Sequence, residues 1–152
     1  MQLKEILPRE VYYATPSSTL SEVAGLMLRH NIGAVPICEG DSRLVGIITD
    51  RDLAIECCTS GVDIRSTEVR EFMTQNPITA NPDMDVKDAC ELMAHEQIHR
   101  LPVVQDGRLL GVVSLGDMAV CMPREQCVLD ALARISIPCR VPYRTTTAQR
   151  AA

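Results

Sequence analysis

Apolar and polar residues alternate along the chain in a pattern that occurs twice. The apolar positions of the segment "TLSEVAGLMLRH" are Leu20, Val23, Ala24, Met27 and Leu28. Their spacing of three and four residues predicts an amphipathic helix, with Ser18 or Thr19 as its N-cap. Two short apolar runs follow, "AVPIC" and "LVGIIT", and the turn-forming "EGDSR" between them predicts a hairpin.

The second half of the chain repeats these features in the same order. It contains the helical pattern "DVKDACELMAHE", with Val86, Ala89, Cys90 and Met93 apolar and Asp85 as the N-cap, and the strand pair "LPVVQ" and "LLGVVS" around "QDGR". At an offset of 66 residues Pro36 meets Pro102, and after the hairpin turn an offset of 65 brings Asp52 onto Asp117. A short apolar segment that ends in a Pro-led turn precedes each helix, as "VYYATPSS" and "PITANPDM", and a further helix follows each hairpin. Each copy therefore predicts a β-α-β-β-α unit.

The repeat also predicts the domain organisation. The first repeat spans residues 1–60, a linker spans 61–66, and the second repeat spans 67–122. Because a unit of this size buries too little surface to be stable alone, we expect the two to form one α/β body with approximate two-fold symmetry. In residues 123–152, "PREQCVLDALARIS" predicts a helix with Pro123 in its first turn, and we expect the rest to be an irregular, solvated tail.

Composition excludes several functional classes. The net charge is −5, the pI is near 5.2, and there is no Trp, one Phe and three Tyr. This balance argues against binding of nucleic acid, which requires basic surfaces or aromatic stacking platforms. No apolar stretch is long enough to cross a membrane, and the N-terminus lacks the pattern of a signal peptide. We therefore expect a cytoplasmic protein.

The residues that could carry catalysis or bind metal are scattered. The seven cysteines include no C-x-x-C pair, and we interpret them as reduced, buried thiols. A thiol redox role stays open for Cys38 and the adjacent Cys57 and Cys58 if they are exposed. His95 and His99 are four residues apart, but the other ligands of a metal site are missing. Since no nucleophile and base form a recognisable set, we predict neither a metal site nor an enzyme.

The most specific pattern closes each hairpin, as "GIITDRDL" in the first repeat and "GVVSLGDM" in the second. Thr49 and Ser114 end the strands, and Asp52 and Asp117 follow three residues later. This spacing is that of a helix capping box. The same arrangement also suits a nucleotide, because a helix N-terminus attracts phosphate and a carboxylate accepts hydrogen bonds from two ribose hydroxyls. The residues alone leave both interpretations open.

The doubled unit, with [VL]-P before one strand and G-h-h-[TS]-x-x-D after the next, resembles a pair of CBS domains, also called a Bateman module. Residues 1–122 carry the resemblance, and "HNIGAVPIC" with "LVGIITDRDL" is similar to small stand-alone bacterial two-CBS proteins of the hypoxic response protein type. The resemblance implies a non-catalytic homodimeric sensor without a required cofactor. Its ligand would be AMP, ADP, ATP, S-adenosylmethionine or an NAD-type dinucleotide, held in clefts between the two units.

The resemblance also assigns residues to this ligand. The ribose and phosphate contacts are Thr49, Arg51, Asp52, Ser114 and Asp117. The adenine contacts are Gly33, Ala34, Val35, Pro36, His99, Arg100, Leu101 and Pro102. Because Arg51 has only uncharged counterparts in the second repeat, we expect the two sites to differ in affinity. The alternative is a dimeric interaction or scaffold protein that binds no nucleotide and acts on an unidentified protein effector.

Overall fold

The computed structural model describes residues 1–137 of the 152-residue chain. They divide into two compact units. The first-repeat unit comprises residues 12–77, and the second-repeat unit comprises residues 1–11 together with 78–137. Both units combine helices with antiparallel strands, so the predicted α/β class is confirmed. The expected irregular tail and Cys139 lie outside the described residues.

The first-repeat unit contains two α-helices and three strands. Its elements in chain order are α1 (Leu20–His30), β1 (Ala34–Glu39), β2 (Arg43–Thr49), α2 (Asp50–Ser60), a 3-10 helix (Val69–Glu71) and β3 (Thr74–Gln75). Strand β2 pairs antiparallel with both β1 and the short β3. The side chain of Thr19 caps α1, which resolves the choice between Ser18 and Thr19.

The second-repeat unit repeats this plan and adds a helix. Its elements are a 3-10 helix (Leu3–Glu5), α3 (Val86–Glu96), β4 (Arg100–Gln105), β5 (Arg108–Ser114), α4 (Leu115–Cys121) and α5 (Gln126–Ile135). Asp106 and Gly107 join β4 to β5 with φ values of 53° and 77°, as a tight hairpin turn requires. The prediction that Pro123 lies in the first turn of the last helix is wrong, because α5 begins at Gln126, after a turn closed by a bond from Glu125 N–H to the Met122 carbonyl.

The segment that leads each repeat in sequence completes the unit of the other repeat. The N–H of Leu3 donates to the carbonyl of Met84 at 3.0 Å, and the Leu3 side chain is fully buried in the core of the second-repeat unit. The N–H of Val69 donates to the carbonyl of Ser18 at 2.8 Å, and Val69 is fully buried in the core of the first-repeat unit. The compact units are therefore not contiguous in sequence.

These exchanged segments explain the glycine that opens the repeated motif. A Cβ atom added to Gly46 would lie 2.5 Å from the Sδ atom of Met73, just before β3. A Cβ atom added to Gly111 would lie 2.9 Å from the Cδ2 atom of Leu7. A side chain at either position would force the Met73 or Leu7 side chain to shift, so glycine fits here because another segment crosses the strand closely.

The sequence predicts a strand at the start of each repeat, but the structure has a single parallel bridge there. Ala14 bridges to Ile37, and Ala80 bridges to Val103. Pro16 and Pro82 follow two residues after each bridge. Since proline has no N–H to donate, it does not extend such a ladder.

The two long helices differ in how their predicted apolar faces are used. All four predicted positions of α3 are buried, and α5 packs against this helix. On α1 the prediction is wrong for Ala24 and for Leu28, whose side chain is 85% exposed. The described first-repeat unit has no counterpart of α5, which accounts for the uncovered face of α1.

Candidate functional site

In the first-repeat unit, the candidate site is the junction between β2 and α2. Thr49 has extended backbone angles and is the N-cap of α2. The Oδ2 atom of Asp52 accepts hydrogen bonds from the Thr49 N–H at 2.9 Å and from its hydroxyl at 2.7 Å. In return, the Asp52 N–H donates to Oγ1 of Thr49 at 3.2 Å. Asp52 is half-buried, so the carboxylate is held in one orientation at the edge of the unit.

The second-repeat unit has the same arrangement between β5 and α4. The Oδ2 atom of Asp117 accepts hydrogen bonds from the Ser114 N–H at 2.7 Å and from its hydroxyl at 2.6 Å. The Asp117 N–H donates to Oγ of Ser114 at 3.1 Å. Asp117 is exposed, in contrast to the half-buried Asp52.

Both motifs are therefore capping boxes, as one of the two sequence interpretations predicts. The ligand interpretation uses the same atoms and is not displaced by this result. A carboxylate has about four acceptor positions, so the two hydrogen bonds that Asp117 accepts within its box do not saturate it. The first three N–H groups of α2 are already bonded, to Gly33, Asp50 and Thr49, so it is the dipole of the helix that favours an anion at its start.

The residues assigned to the adenine edge lie beside these junctions within each unit. The N–H of Asp50 donates to the Gly33 carbonyl at 3.1 Å, and Ala34 pairs with Thr49 in the β1–β2 ladder. In the second-repeat unit the N–H of Leu115 donates to the His99 carbonyl at 3.1 Å. The fold thus brings the assigned groups of each repeat together.

The side chains at the adenine edge differ widely in exposure. Ala34, Val35, Pro36, Leu101 and Pro102 are buried, Gly33 and Arg100 are half-buried, and His99 is exposed. Val35 and Leu101 are fully buried in the cores of their units. At those two positions only the backbone groups are left to contact an adenine base.

The two junctions place their charged residues differently. Arg51 is exposed in the first turn of α2, next to Asp50. The corresponding residues of α4 are the exposed Gly116 and Leu115, which is buried in the core. The cationic residue at the second-repeat junction is instead Arg100 of β4, the ladder partner of Ser114.

The capping bonds lead to a prediction for stability. Replacing Ser114 with alanine removes the acceptor for the Asp117 N–H and should lower the free energy of unfolding by about 0.5–2 kcal/mol. Urea denaturation followed by circular dichroism measures this change. Because Ser136 follows α5 as a C-cap and its side chain has no capping role, Ser136→Ala is the matched control. An unchanged unfolding midpoint for Ser114→Ala would contradict the capping geometry.

Glu56 is a feature that the sequence analysis missed. It lies in α2, one helical turn after Asp52, and its side chain is 2% exposed. Neither of its carboxylate oxygens accepts a hydrogen bond from the described residues. The corresponding position in the second repeat is the exposed Cys121. The signal that the sequence offers is that Glu56 lies four residues after Asp52, which places both residues on one face of the helix.

A surface groove in the second-repeat unit does not coincide with the assigned residues. This groove of about 560 Å³ is lined by Met1, Asp85, Lys87 and residues 121–125. The backbone N–H of Lys87 and the N-terminal amine both lower the pKa of Asp85. Ion pairs join Asp85 to the N-terminal amine and Lys87 to Glu125, each at 3.3 Å. This groove therefore already pairs its own charges.

The described cysteines are all free thiols, in varied surroundings. Cys38 and Cys90 are buried as predicted, and burial raises the pKa of Cys38 to about 11 and that of Cys90 to about 12. The buried-thiol interpretation is wrong for Cys58 and Cys121, which are exposed. No group of three or more His, Cys, Asp and Glu side chains among residues 1–137 is arranged to hold a metal ion. None of the described helices has the length and apolar character that crossing a membrane requires.

Comparison with known proteins places the chain among small two-repeat proteins. The family model described as "CBS domain" matches residues 3–57 and again residues 69–123. The CBS domain-containing protein YhcV of Bacillus subtilis is 40% identical over 134 residues, which are 88% of this chain and 94% of that protein. Hypoxic response protein 1 of Mycobacterium tuberculosis is 30% identical over 135 residues, covering 89% of this chain and 94% of its relative.

A solved structure adds a bound ligand to this comparison. The CBS domain pair of protein MJ0100, crystallised with 5′-methylthioadenosine and S-adenosyl-L-methionine, superposes with a TM-score of 0.73 at 31% identity. The match covers 81% of this chain and 96% of that one.

Proposed function

The chain belongs to the CBS domain family, of which it carries two copies, and we propose that it is a non-catalytic sensor of an adenosine-containing ligand. The observation that carries the proposal is the junction found in each unit. There a hydroxyl, a carboxylate and the backbone of the preceding strand are held together at a helix N-terminus. The ligands of the MJ0100 domain pair, which both contain adenosine, support this class of ligand.

The hydrogen bonds of the capping box suggest how a nucleotide is received. The hydroxyl of Thr49 donates to Asp52 in the described structure. A hydroxyl proton rotates freely, so Thr49 can instead donate to a phosphate oxygen. Once the Thr49 hydroxyl no longer donates to it, the Asp52 carboxylate accepts hydrogen bonds from the ribose hydroxyls instead. Ligand binding thus replaces a bond within the box rather than leaving a polar group unpaired.

The different placement of charge at the two junctions predicts a difference in ligand affinity. Arg51 lies in the first turn of α2 beside Asp50, whereas Arg100 lies on β4 as the ladder partner of Ser114. We therefore expect the two junctions to bind phosphorylated adenosine ligands with unequal affinity. The site residues assigned from the resemblance, including the adenine edge, remain part of this proposal.

We further propose that the protein acts as a cytoplasmic homodimer that signals to an effector protein. The homodimer and the effector protein are what the resemblance to CBS domain pairs implies. The free thiols at all six described cysteines favour a reducing compartment.

A panel of nucleotides tests the sensor function. AMP, ADP, ATP, S-adenosylmethionine and NAD are added to the full-length chain in turn, with GMP as the control for the base. A ligand at 100 times its dissociation constant stabilises the folded state by about 2.7 kcal/mol, so a clear rise in melting temperature is expected for at least one adenosine compound. Isothermal titration calorimetry then gives the affinity. If no adenosine compound raises the melting temperature or produces binding heat, the proposal is wrong.

A scaffold function is the second candidate, and the capping boxes favour it. Thr49 and Asp52 satisfy each other without any ligand. In that case the motifs serve only helix stability, and the nucleotide panel gives no response while the dimer persists in analytical ultracentrifugation.

A further inference from the structure

Helices α3 and α5 of the second-repeat unit lie side by side and are joined near both ends. Lys87 pairs with Glu125 at 3.3 Å near the beginning of both helices. Further along, Glu91 pairs with Arg134 at 2.6 Å, and the Nε2 atom of Gln97 donates to the Arg134 carbonyl at 3.3 Å. The order of these contacts shows that α3 and α5 run parallel to each other.

Two cysteines face each other between these contacts. Cys90 of α3 is 1% exposed, and its thiol lies 3.5 Å from the Sδ atom of Met118. Cys127 of α5 is half-buried and packs against the same core. Its thiol is the hydrogen-bonding neighbour of the Cys90 thiol across the helix interface. One thiol of the pair is thus enclosed, and the other is open to small reagents.

We propose that Cys90 and Cys127 form an oxidation site, at which hydrogen peroxide converts the two thiols into a disulfide that fastens α5 to α3. This site is separate from the ligand junctions, and it does not depend on the proposed sensor function.

The reaction proceeds in two balanced steps. The sulfur of Cys127 attacks one oxygen of hydrogen peroxide, the O–O bond breaks, and the products are a sulfenic acid and water, which takes up the thiol proton. The sulfur of Cys90 then attacks the Cys127 sulfur, the S–O bond breaks, and a second water leaves with the Cys90 proton. Two thiols and one peroxide therefore give one disulfide and two waters.

The surroundings of the two thiols determine their order. Cys127 reacts first because it is the partly exposed member of the pair. Burial is the main cause that raises the pKa of Cys90 to about 12, and the nearby Cys127 contributes to the same rise. Since the thiolate is the attacking species, closure of the disulfide accelerates as the pH rises towards that pKa.

The disulfide would add a covalent link where the other bonds between the helices are weak. The ion pairs at Lys87 and Arg134 lie on the surface, where such pairs contribute little. The remaining attachment of α5 is the apolar contact of Val128, Ala131 and Ile135 with the core. Oxidation would therefore fix the C-terminal helix in place.

Tryptic mapping of the full-length chain tests the proposal directly. Cleavage separates the relevant cysteines into residues 88–100 with Cys90, 109–124 with Cys121, and 125–134 with Cys127. The reduced protein is treated with hydrogen peroxide at several pH values, blocked with N-ethylmaleimide and digested without reductant. We expect peptides 88–100 and 125–134 to be linked, in a yield that rises with pH, and dithiothreitol to separate them.

Variants distinguish this site from the other thiols. Cys127→Ser, at a half-buried position, should abolish the link, whereas Cys58→Ser in the first-repeat unit should leave its yield unchanged. In Cys90→Ala, Cys127 should stop at the sulfenic acid, which dimedone labels. The proposal fails if peroxide leaves both thiols open to N-ethylmaleimide, or if Cys127 links to Cys121 instead.

Discussion

Replacing Leu3 with alanine is expected to destabilise the second-repeat unit, although Leu3 lies at the start of the first repeat in sequence. Its side chain is fully buried among the residues of that unit's core. Loss of a buried leucine typically lowers the free energy of unfolding by about 2–5 kcal/mol. Hydrogen exchange measured by mass spectrometry should show lost protection in residues 78–137 and a smaller effect in residues 12–77.

Two substitutions serve as controls for this result. Leu28→Ala changes the same side chain at an 85% exposed position and should leave both exchange and stability nearly unchanged. Val69→Ala alters the exchanged segment of the other unit, so protection should fall first in residues 12–77. Protection lost only in residues 12–77 after Leu3→Ala would contradict the exchange of segments.

Replacing Asp52 with alanine is expected to weaken binding of the adenosine ligand identified by the nucleotide panel. Hydrogen bonds to a charged group contribute about 1.5–3 kcal/mol, which corresponds to a loss in affinity of roughly 10- to 150-fold. The equivalent change at Asp117 should have an effect of a different size, because Arg100 of β4 lies beside that junction in place of Arg51. Isothermal titration calorimetry of both variants measures the difference.

Helix α1 offers a matched control for this experiment. Thr19 and Glu22 form a capping box in which Glu22 accepts from the Thr19 N–H at 2.7 Å, and neither residue belongs to the assigned site. Glu22→Ala therefore removes a comparable cap without touching the ligand. If Asp52→Ala and Glu22→Ala keep the same ligand affinity as the parent chain, Asp52 is only a cap.

Several features of the fold follow from residues that are close together in the sequence. Asp106 and Gly107 adopt the left-handed angles of a tight turn, as their types favour. Thr49 and Ser114 cap the helices that follow them, because a hydroxyl three residues before an aspartate reaches its N–H. The cap at each junction was therefore predictable from the residues, whereas the assignment of an adenine edge beside the carboxylate came from the resemblance to CBS domain pairs.

Other features depend on contacts between residues far apart in the chain. The helical spacing of α1 placed Leu28 on its apolar face, but the face stays uncovered because its unit has no counterpart of α5. Nothing in the spacing of the cysteines indicated that Cys90 meets Cys127, since the packing of α5 on α3 creates that contact. The burial of Glu56 likewise became visible only in the folded unit.

The sequence by itself determined the repeated unit, its turns, its helix starts and the residue types at both junctions, because these depend on interactions over a few residues. The tertiary structure alone decided that Leu3 and Val69 complete the opposite units, and that the Met73 and Leu7 side chains lie close against Gly46 and Gly111. The physical reason is that a local pattern shows which face of a segment is apolar but does not identify the distant residues that cover it.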